Sequence, residues 1–527
     1  IRRRVYYVND CYYMVCKLEK EVFENPALIE INSITSMYNP NLISKFLLML
    51  STLIISYSCS GDYDNYSETS NEKPVIFPDY TDITIPVNIA PLNFKMSGAK
   101  QIRAQVFVNE KQVFDIKSDS VIEFPIEDWK EQIKSYAGKD LFITLTAWTS
   151  KNPDGIRYKP FNIKISQDKI DPWIAYRLIP PGYELWKRMG IYQRNITDFE
   201  EEPIVTNDQN NGGCVNCHNF CKYNPDTWVF HARGEGGGTI VTYKGVSRKV
   251  AIEKKGPQKG ATYPAWHPSG RYIVFSSNVT RQNFYGISRD KIEVFDTESD
   301  LIVYDVLKDN VLTDPRFTER HNWETFPAFS PDGKNLYYCV AHSNDESNNA
   351  NRKPTFFWDL KYSLCRVPFD ETTGKFGEQV DTIYSAYREG GSVSFPRISP
   401  DGRYLLYTLA DCATFPIQHV EADLKMKDLT TGDSINTNIL NSEYSDSYHS
   451  WSSNGKWIIF SSKRVDGRYT RLFFSHFDGK GNFTKPFLLP QEDPEHNMAR
   501  LNAYNIPEFI KAKEKVDKDK MANYFHV

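Results

Sequence analysis

The chain has 527 residues, of which 40% are hydrophobic and 14% aromatic, enough for two or three globular domains rich in β-forming side chains. Its 63 basic and 67 acidic residues give a net charge of −4, which excludes the basic excess of a nucleic-acid-binding protein. The glycines of 234–238 lack the Lys-Ser/Thr pair of a phosphate-binding loop. We therefore expect no nucleic-acid partner.

An apolar run near the N-terminus has the length of a secretory signal. Residues 46–56 (FLLMLSTLIIS) follow one cation, Lys45, and are too few to span a bilayer. The small Ser58 precedes Cys59, and this arrangement resembles a bacterial lipoprotein signal, which implies lipidation at Cys59. An ordinary secretory signal or a short anchor is the alternative. We expect residues 1–58 to be upstream sequence and signal peptide, and the protein to be an outer-membrane lipoprotein of a Gram-negative cell envelope, periplasmic or surface-facing, held to the membrane by lipid.

Three segments follow the predicted signal. Residues 59–78 are polar and acidic without hydrophobic periodicity, which predicts a disordered tether. Residues 79–170 contain runs such as QVFDI and LFITLTAWT, which predict short strands of a small β-sandwich without a catalytic constellation. Residues 171–225 are aromatic-rich and end in a cysteine cluster, so we expect a packed linker there.

Four stretches in the second half of the chain align without gaps. They are YPAWHPSGRYIVFSS (263–277), FPAFSPDGKNLYYCV (326–340), FPRISPDGRYLLYTL (395–409) and YHSWSSNGKWIIFSS (448–462). Each has a short apolar strand, a turn ending in Gly, and a second β-forming strand. A repeated unit of this size cannot bury both faces alone, which favours blades arranged radially. The repeats resemble those of TolB-like propellers, and the resemblance implies a role within envelope assemblies.

The repeats predict an all-β protein in which the small β-sandwich is followed by a five- or six-bladed β-propeller. We place the propeller at 226–510 and a C-terminal tail at 511–527. Residues 226–245 read as two strands of a blade that lacks its first strand, and 499–510 are expected to supply that strand and close the ring. Gly402 is expected in a turn where a side chain would clash.

The cluster GGCVNCHNFC at 212–221 is the main candidate site. Cys214, Cys217 and His218 match the Cys-x-x-Cys-His pattern of c-type cytochromes. If 214–218 forms one helical turn, the three side chains share a face, so that two thiols hold a haem and the imidazole binds its iron. We therefore predict a covalent haem c with His218 as proximal ligand. The candidates for the sixth ligand are His231, His496 and Met498.

Two other chemistries for the cluster stay open. Cys214, Cys217 and Cys221, with His218 or His231, have the composition of a Cys₃His zinc site. Alternatively, Cys214 and Cys217 form a disulfide after export.

Three classes of function follow from these features. The first is a haem-bearing lipoprotein for electron transfer or redox sensing, with the propeller as a platform for partners. The second is a non-redox binding or scaffold lipoprotein that contacts an envelope protein or glycan on the propeller face. The sequence favours the absence of enzymatic activity, because no Gly-x-Ser-x-Gly motif occurs. A glycosidase or lyase stays open through carboxylates and histidines near the repeat starts: Glu324, Glu389, Asp411, His321 and His449.

Overall fold

The computed structural model describes residues 65–180, 188–255, 260–285, 292–319, 321–342, 358, 360–515 and 517–525. The predicted signal and Cys59 lie outside the described residues. The chain from Tyr66 to Val527 forms one compact unit. Within the described ranges, no helix has both the length and the apolar character needed to cross a bilayer.

The N-terminal domain is a seven-stranded sheet covered by a helix and a two-stranded sheet. In β4 (Ala99–Val108), every second residue from Ile102 onward is buried, which gives the sheet one apolar face. The helix Ile126–Ser135 buries Trp129 and Ile133 in the same core. The other strands are β1 (Glu68–Thr69), β2 (Ile83–Ile85), β3 (Phe94–Lys95), β5 (Lys111–Ser118), β6 (Val121–Ile122), β7 (Asp140–Thr149), β8 (Ile156–Arg157) and β9 (Phe161–Ile165).

The predicted tether is too long, because its second half belongs to this domain. Strand β1 pairs in parallel with β8, with Glu68 opposite Ile156. The amide of Ser67 donates to the carbonyl of Gly155 at 3.1 Å, and the amide of Lys159 donates to the carbonyl of Glu72 at 3.0 Å. The polar composition of this segment reflects a solvent-exposed edge strand rather than disorder.

Six antiparallel sheets of four or five strands follow in the described part of the chain. The first contains β10 (Trp173–Ile179), β11 (Gly190–Asn195), β12 (Glu201–Thr206) and β34 (Ala503–Ile510), and the second β13 (Val215–Phe220), β14 (Trp228–Ala232), β15 (Gly238–Tyr243) and β16 (Val246–Val250). The third contains β17 (Thr262–Trp266), β18 (Tyr272–Phe284), β19 (Ile292–Asp305) and β20 (Asn310–Leu312), and the fourth β21 (Asn322–Phe329), β22 (Asn335–His342), β23 (Ser363–Asp370), β24 (Lys375–Phe376) and β25 (Asp381–Tyr384). The fifth contains β26 (Ser392–Ile398), β27 (Tyr404–Ala410), β28 (Asp423–Asp428) and β29 (Ser434–Ile435), and the sixth β30 (Asp446–Trp451), β31 (Trp457–Ser462), β32 (Arg471–His476) and β33 (Phe487–Leu488).

The innermost strands of these sheets form a ring. Strand β13 contacts β17, and contacts continue through β21, β26 and β30 to β34, which contacts β13 again. A closed ring of radially arranged sheets is a β-propeller. The predicted all-β fold class, a small β domain followed by a propeller, is therefore confirmed.

The ring closes at a different place from the one predicted. The C-terminal strand β34 pairs with β10, with Trp173 opposite Ile510, and not with the strands of 226–245. Trp173–Ile179, Gly190–Asn195 and Glu201–Thr206 are therefore propeller strands, where the sequence predicted a linker. The predicted linker hid β10 because its sequence, WIAYRLI, is buried along nearly its whole length and shows no alternation.

Each innermost strand has a β-bulge whose central residue has a positive φ. The register of β13 shifts between Asn216 and Asn219, and the other five strands shift at equivalent positions. An extra residue in one strand turns its side chain away from the ladder. We call these six residues the plug: Cys217, Tyr263, Phe326, Phe395, Tyr448 and Ile506, with φ of 54°, 45°, 51°, 50°, 43° and 51°.

The turn glycines of the repeats permit a matched stability test. Gly333 and Gly402 have φ of 75° and 79°, so alanine at either position costs about 1 kcal/mol in backbone strain. A side chain at Gly402 meets open space, so the expected clash there is wrong, whereas a Cβ at Gly333 would overlap the ring of His267. We therefore expect Gly333→Ala to lower the free energy of unfolding by about 2 kcal/mol more than Gly402→Ala, as measured by denaturant titration. Equal losses would contradict this placement of the His267 ring.

Candidate functional site

Three cavities follow one another along the axis of the ring. Residues that precede the plug in the innermost strands, such as Thr262, line a cavity of about 730 Å³ that we call the funnel. Residues that follow the plug, such as Pro264 and Trp266, line a lower cavity of about 430 Å³. Between them lies a middle cavity of about 20 Å³, room for about one water molecule.

The plug separates the funnel from the lower cavity. The rings of Tyr263 and Phe326 have centroids 4.5 Å apart, those of Phe326 and Phe395 4.1 Å, and those of Phe395 and Tyr448 4.7 Å. These contacts fill the axis with aromatic side chains, so the two larger cavities are separate sites.

The cysteine motif is a strand and not the predicted helical turn. Residues 215–220 form β13, in which Cys217 is the plug residue. The helical turn does not form because this segment pairs with β14 in a sheet and contacts the innermost strands β17 and β34 of the neighbouring sheets. Cys214 and Cys217 nevertheless both line the funnel, as free thiols. Burial raises the pKa of Cys214, against the opposing charges of Arg177 and Arg233.

His218 lies on the other side of the plug from the funnel. Its side chain is buried and lines the middle cavity together with Cys217. Burial lowers the pKa of its imidazole to about 3, and the carbonyls of Ala175 and Ile506 face the ring without reaching hydrogen-bonding geometry. The imidazole is therefore neutral and separated from the cavity that the two thiols share.

The other predicted ligands are dispersed. Cys221 packs between the second and third sheets, where its Sγ lies 3.7 Å from the carbonyl oxygen of His267. His231 contacts the hydroxyl of Thr239 at 3.0 Å through Nδ1, and Met498 is exposed. His496 lies in the short α-helix His496–Ala499. The remaining α-helices of the described residues are Ala386–Glu389 and Lys518–Asn523. Among the described residues, no group of three His, Cys, Asp or Glu is placed to hold a metal ion.

The funnel is strongly basic. Its described lining contains no Asp or Glu. Arg177 is buried and donates to the side-chain oxygen of Asn216, whereas Arg233 and Arg468 are exposed and form no ion pair with a carboxylate that the structure describes. The five basic residues lining it are Arg177, Arg233, Arg281, Lys463 and Arg468. A concave site lined by several cations and by no described carboxylate attracts anions.

A long hairpin forms one wall of the funnel. Strands β18 and β19 have 13 and 14 residues, and Gln282 and Val294 on them line the cavity. The hairpin is fixed to the fifth sheet by Glu293, whose carboxylate lies 3.2 Å from Nε2 of His419. Nδ1 of His419 lies 3.0 Å from Glu421. Burial acts to lower the pKa of His419, but the two carboxylates outweigh it and raise the pKa to about 10.

This contact predicts a loss of stability in alkali. Because the folded-state pKa of His419 is raised, its contribution is complete below about pH 6.5 and is lost as the pH rises through about 10. We expect wild type to lose about 1.5–3 kcal/mol more than His419→Gln between pH 6 and pH 10.5, the range for hydrogen bonds to charged groups. Thermal unfolding at both pH values measures it. Identical pH profiles for the two proteins would show that the imidazolium does not hold the hairpin.

The sequence contained a signal for the plug that composition alone does not reveal. Four plug residues are the first residues of the aligned repeats, for example Tyr263 and Phe395. The funnel cations carry no such signal, since they come from four separate loops or strands, and only Lys463 and Arg468 share one, the loop between β31 and β32. The carboxylates considered for catalysis, Glu324, Glu389 and Asp411, line none of the three cavities.

The fold places the chain among β-propeller proteins, and its site is a basic funnel with two thiols. No protein-family model and no curated protein matches the sequence. Similar solved structures include prolyl oligopeptidase B of Galerina marginata (TM-score 0.31, 10% identity, 68% of this chain and 50% of that chain). A second is a putative dipeptidyl aminopeptidase IV of Bacteroides ovatus (TM-score 0.27, 10% identity, 62% of this chain and 60% of that chain). A third is the GH43 endo-arabinanase of Bacillus licheniformis (TM-score 0.27, 13% identity, 49% of this chain and 93% of that chain).

The chain spans half the length of the prolyl oligopeptidase and 60% of the dipeptidyl aminopeptidase. At these identities and TM-scores the likenesses carry no inference about activity, substrate or partners.

Proposed function

We propose that this protein is an exported binding lipoprotein without enzymatic activity, and that its funnel binds an anionic ligand. The observation that carries the proposal is the funnel lining, in which five cations and no described carboxylate surround a cavity of about 730 Å³. This volume lies within the range of sites for small molecules and cofactors. The resemblance of the repeats to TolB-like propellers supports a role in the cell envelope.

The rest of the lining restricts the ligand further. Tyr263, Phe415, Tyr448 and Tyr469 bring aromatic side chains to the funnel beside the cations. Flat apolar surfaces next to guanidinium groups favour a ligand that has a planar body and more than one negative charge. A neutral glycan would leave the charges of Arg233 and Arg468 uncompensated, so we favour an anion over a neutral sugar.

The test is a titration of the exported chain with 1,3,6,8-pyrenetetrasulfonate, a planar polyanion. We expect saturable binding at one site per chain, and an affinity that falls as salt is raised from 0.05 to 0.5 M, because ionic strength screens the exposed cations. Absence of binding at low salt, or binding that salt does not affect, would overturn the proposal.

A covalent haem c is the second candidate, for electron transfer or redox sensing. Cys214 and Cys217 line one cavity whose size and charge suit a macrocycle with two carboxylates. His218 does not fit the role of proximal ligand in this arrangement, because it lies beyond the plug, and we assign it no role at the iron. When bound, a haem would supply one-electron chemistry.

Expression in a host that attaches c-type haem distinguishes the two candidates. Covalent haem requires a mass increase of one haem, lost in Cys217→Ser and retained in the control Cys221→Ser, whose thiol lies outside the funnel. If the protein carries no haem and still binds pyrenetetrasulfonate, covalent haem is contradicted and the anion-binding funnel is the remaining candidate. A zinc content of one per chain would instead require the cysteines to rearrange.

The lipid anchor is tested separately. We propose acylation at Cys59, because an apolar run and a small residue precede it. Cys59→Ala should move most of the protein from the membrane fraction to the soluble fraction after export, with Cys221→Ser as the control. Membrane association unchanged in Cys59→Ala would contradict the anchor.

A further inference from the structure

The lower cavity has the features of a second binding site. It opens at the opposite end of the innermost strands from the funnel, and the plug separates the two. Its volume of about 430 Å³ suits a small ligand. Trp266, Phe329 and Trp451 line it with aromatic surface.

The polar atoms of the two tryptophans are already paired. Nε1 of Trp266 donates to the carbonyl of Asn219 at 3.1 Å, and Nε1 of Trp451 donates to the carbonyl of Arg397 at 3.2 Å. The indoles therefore offer the cavity their apolar surface and no free donor. An apolar body packs well against such walls.

Arg397 lies at the inner end of the cavity with most of its donors uncommitted. It lines both the lower and the middle cavity, and its one hydrogen bond among the described residues goes to the adjacent carbonyl of Pro396, at 3.1 Å. It forms no ion pair with a described carboxylate. Arg397 is partly buried, and burial lowers its pKa against the charge of Glu508. A partly buried guanidinium gains from an anion that reaches it.

Glu508 is a carboxylate whose charge acts on Arg397, but both of its oxygens accept hydrogen bonds from other groups. One carboxylate oxygen accepts from the side-chain amide of Asn219, and the other accepts from the backbone amide of Phe220 at 3.1 Å. Two further cations, Lys222 and Lys511, line the cavity. Positive charge therefore exceeds negative charge, three groups against one.

We infer that the lower cavity binds a monocarboxylate with an aromatic or branched aliphatic body. Its carboxylate would accept two hydrogen bonds from the planar guanidinium of Arg397, and its body would pack against Trp266, Phe329 and Trp451. The same chemistry is offered by a free small acid and by the C-terminus of a peptide that ends in an apolar residue. This site is independent of the ligand proposed for the funnel.

Isothermal titration with 3-phenylpropionate and its neutral amide tests the carboxylate. We expect the acid to bind at least tenfold more tightly than the amide. Arg397→Lys should weaken binding of the acid about tenfold, because a lysine keeps the charge but loses the two parallel hydrogen bonds. Arg397→Gln should remove the difference between acid and amide.

The controls separate this site from the funnel and from misfolding. Arg233→Glu/Arg468→Glu, which alters the funnel, should leave binding of 3-phenylpropionate unchanged, and thermal unfolding confirms that each variant is folded. If an acetylated peptide ending in Phe binds more tightly than its C-terminal amide, the ligand is a chain terminus. If 3-phenylpropionate binds and the peptide does not, the ligand is a free acid. Equal affinity for 3-phenylpropionate and its amide, or full binding by a folded Arg397→Gln, would overturn the inference.

Discussion

Reversing the charges of Arg233 and Arg468 together should weaken binding of pyrenetetrasulfonate to the funnel about 100-fold. Both side chains are exposed at the funnel, and neither forms an ion pair with a described carboxylate. Each reversal removes one attraction and adds one repulsion, and exposed charge interactions contribute about 0.2–1 kcal/mol each. Four such changes give about 3 kcal/mol, which corresponds to about 100-fold in affinity.

A matched control separates the local effect from the change in total charge. Lys100 and Arg388 are exposed and line none of the three cavities. Lys100→Glu/Arg388→Glu changes the net charge by the same amount and should weaken binding less than threefold. If both double variants lose affinity equally, the probe responds to overall charge and the funnel is not its site.

Arg500→Met should lower the free energy of unfolding by about 3 kcal/mol, since it removes one partner of a mostly buried ion pair. Nη1 of Arg500 donates to Glu201 at 2.8 Å and Nη2 to the other oxygen, so the pairing is bidentate. Glu201 lies in β12 and Arg500 precedes β34, so the pair joins two segments of the sheet in which the ring closes. Chemical denaturation of both proteins at pH 7 measures the difference.

The contribution of the Arg500–Glu201 pair to the free energy of unfolding should decrease in acid. Burial acts to raise the pKa of Glu201, but the hydrogen bonds and charge of Arg500 outweigh it, so the folded-state pKa is lowered. Its contribution is present above pH 4.5 and is lost as the pH falls through the folded-state pKa. The control is Lys513→Met, since Lys513 pairs with Glu200 and Glu202 at the surface, where ion pairs contribute about 0–1 kcal/mol. Equal losses in Arg500→Met and Lys513→Met would contradict a closing role.

The cysteine motif shows why the helical turn predicted for residues 214–218 was wrong. Aligned on the plug, Cys217-His218-Asn219-Phe220-Cys221 takes the place of Tyr263-Pro264-Ala265-Trp266-His267. The segment is thus the innermost strand of a blade whose usual aromatic and proline are replaced. Phe220, the aromatic residue at the fourth position, indicates such a strand. The spacing of the cysteines and the histidine instead favoured a helical turn. In a strand, that spacing does not bring the imidazole to the cavity of the thiols.

The sequence by itself determined the β-propeller, because alternating strands and Gly-containing turns are local patterns that each repeat carries within about 15 residues. It also determined the small N-terminal β domain for the same reason. Only the tertiary structure decided that β34 closes the ring on β10, and that Arg177, Arg233 and Arg468 meet at one funnel. The three arginines are up to 291 positions apart along the chain (468 − 177). Their proximity depends on closing the ring, a long-range event that no local pattern encodes.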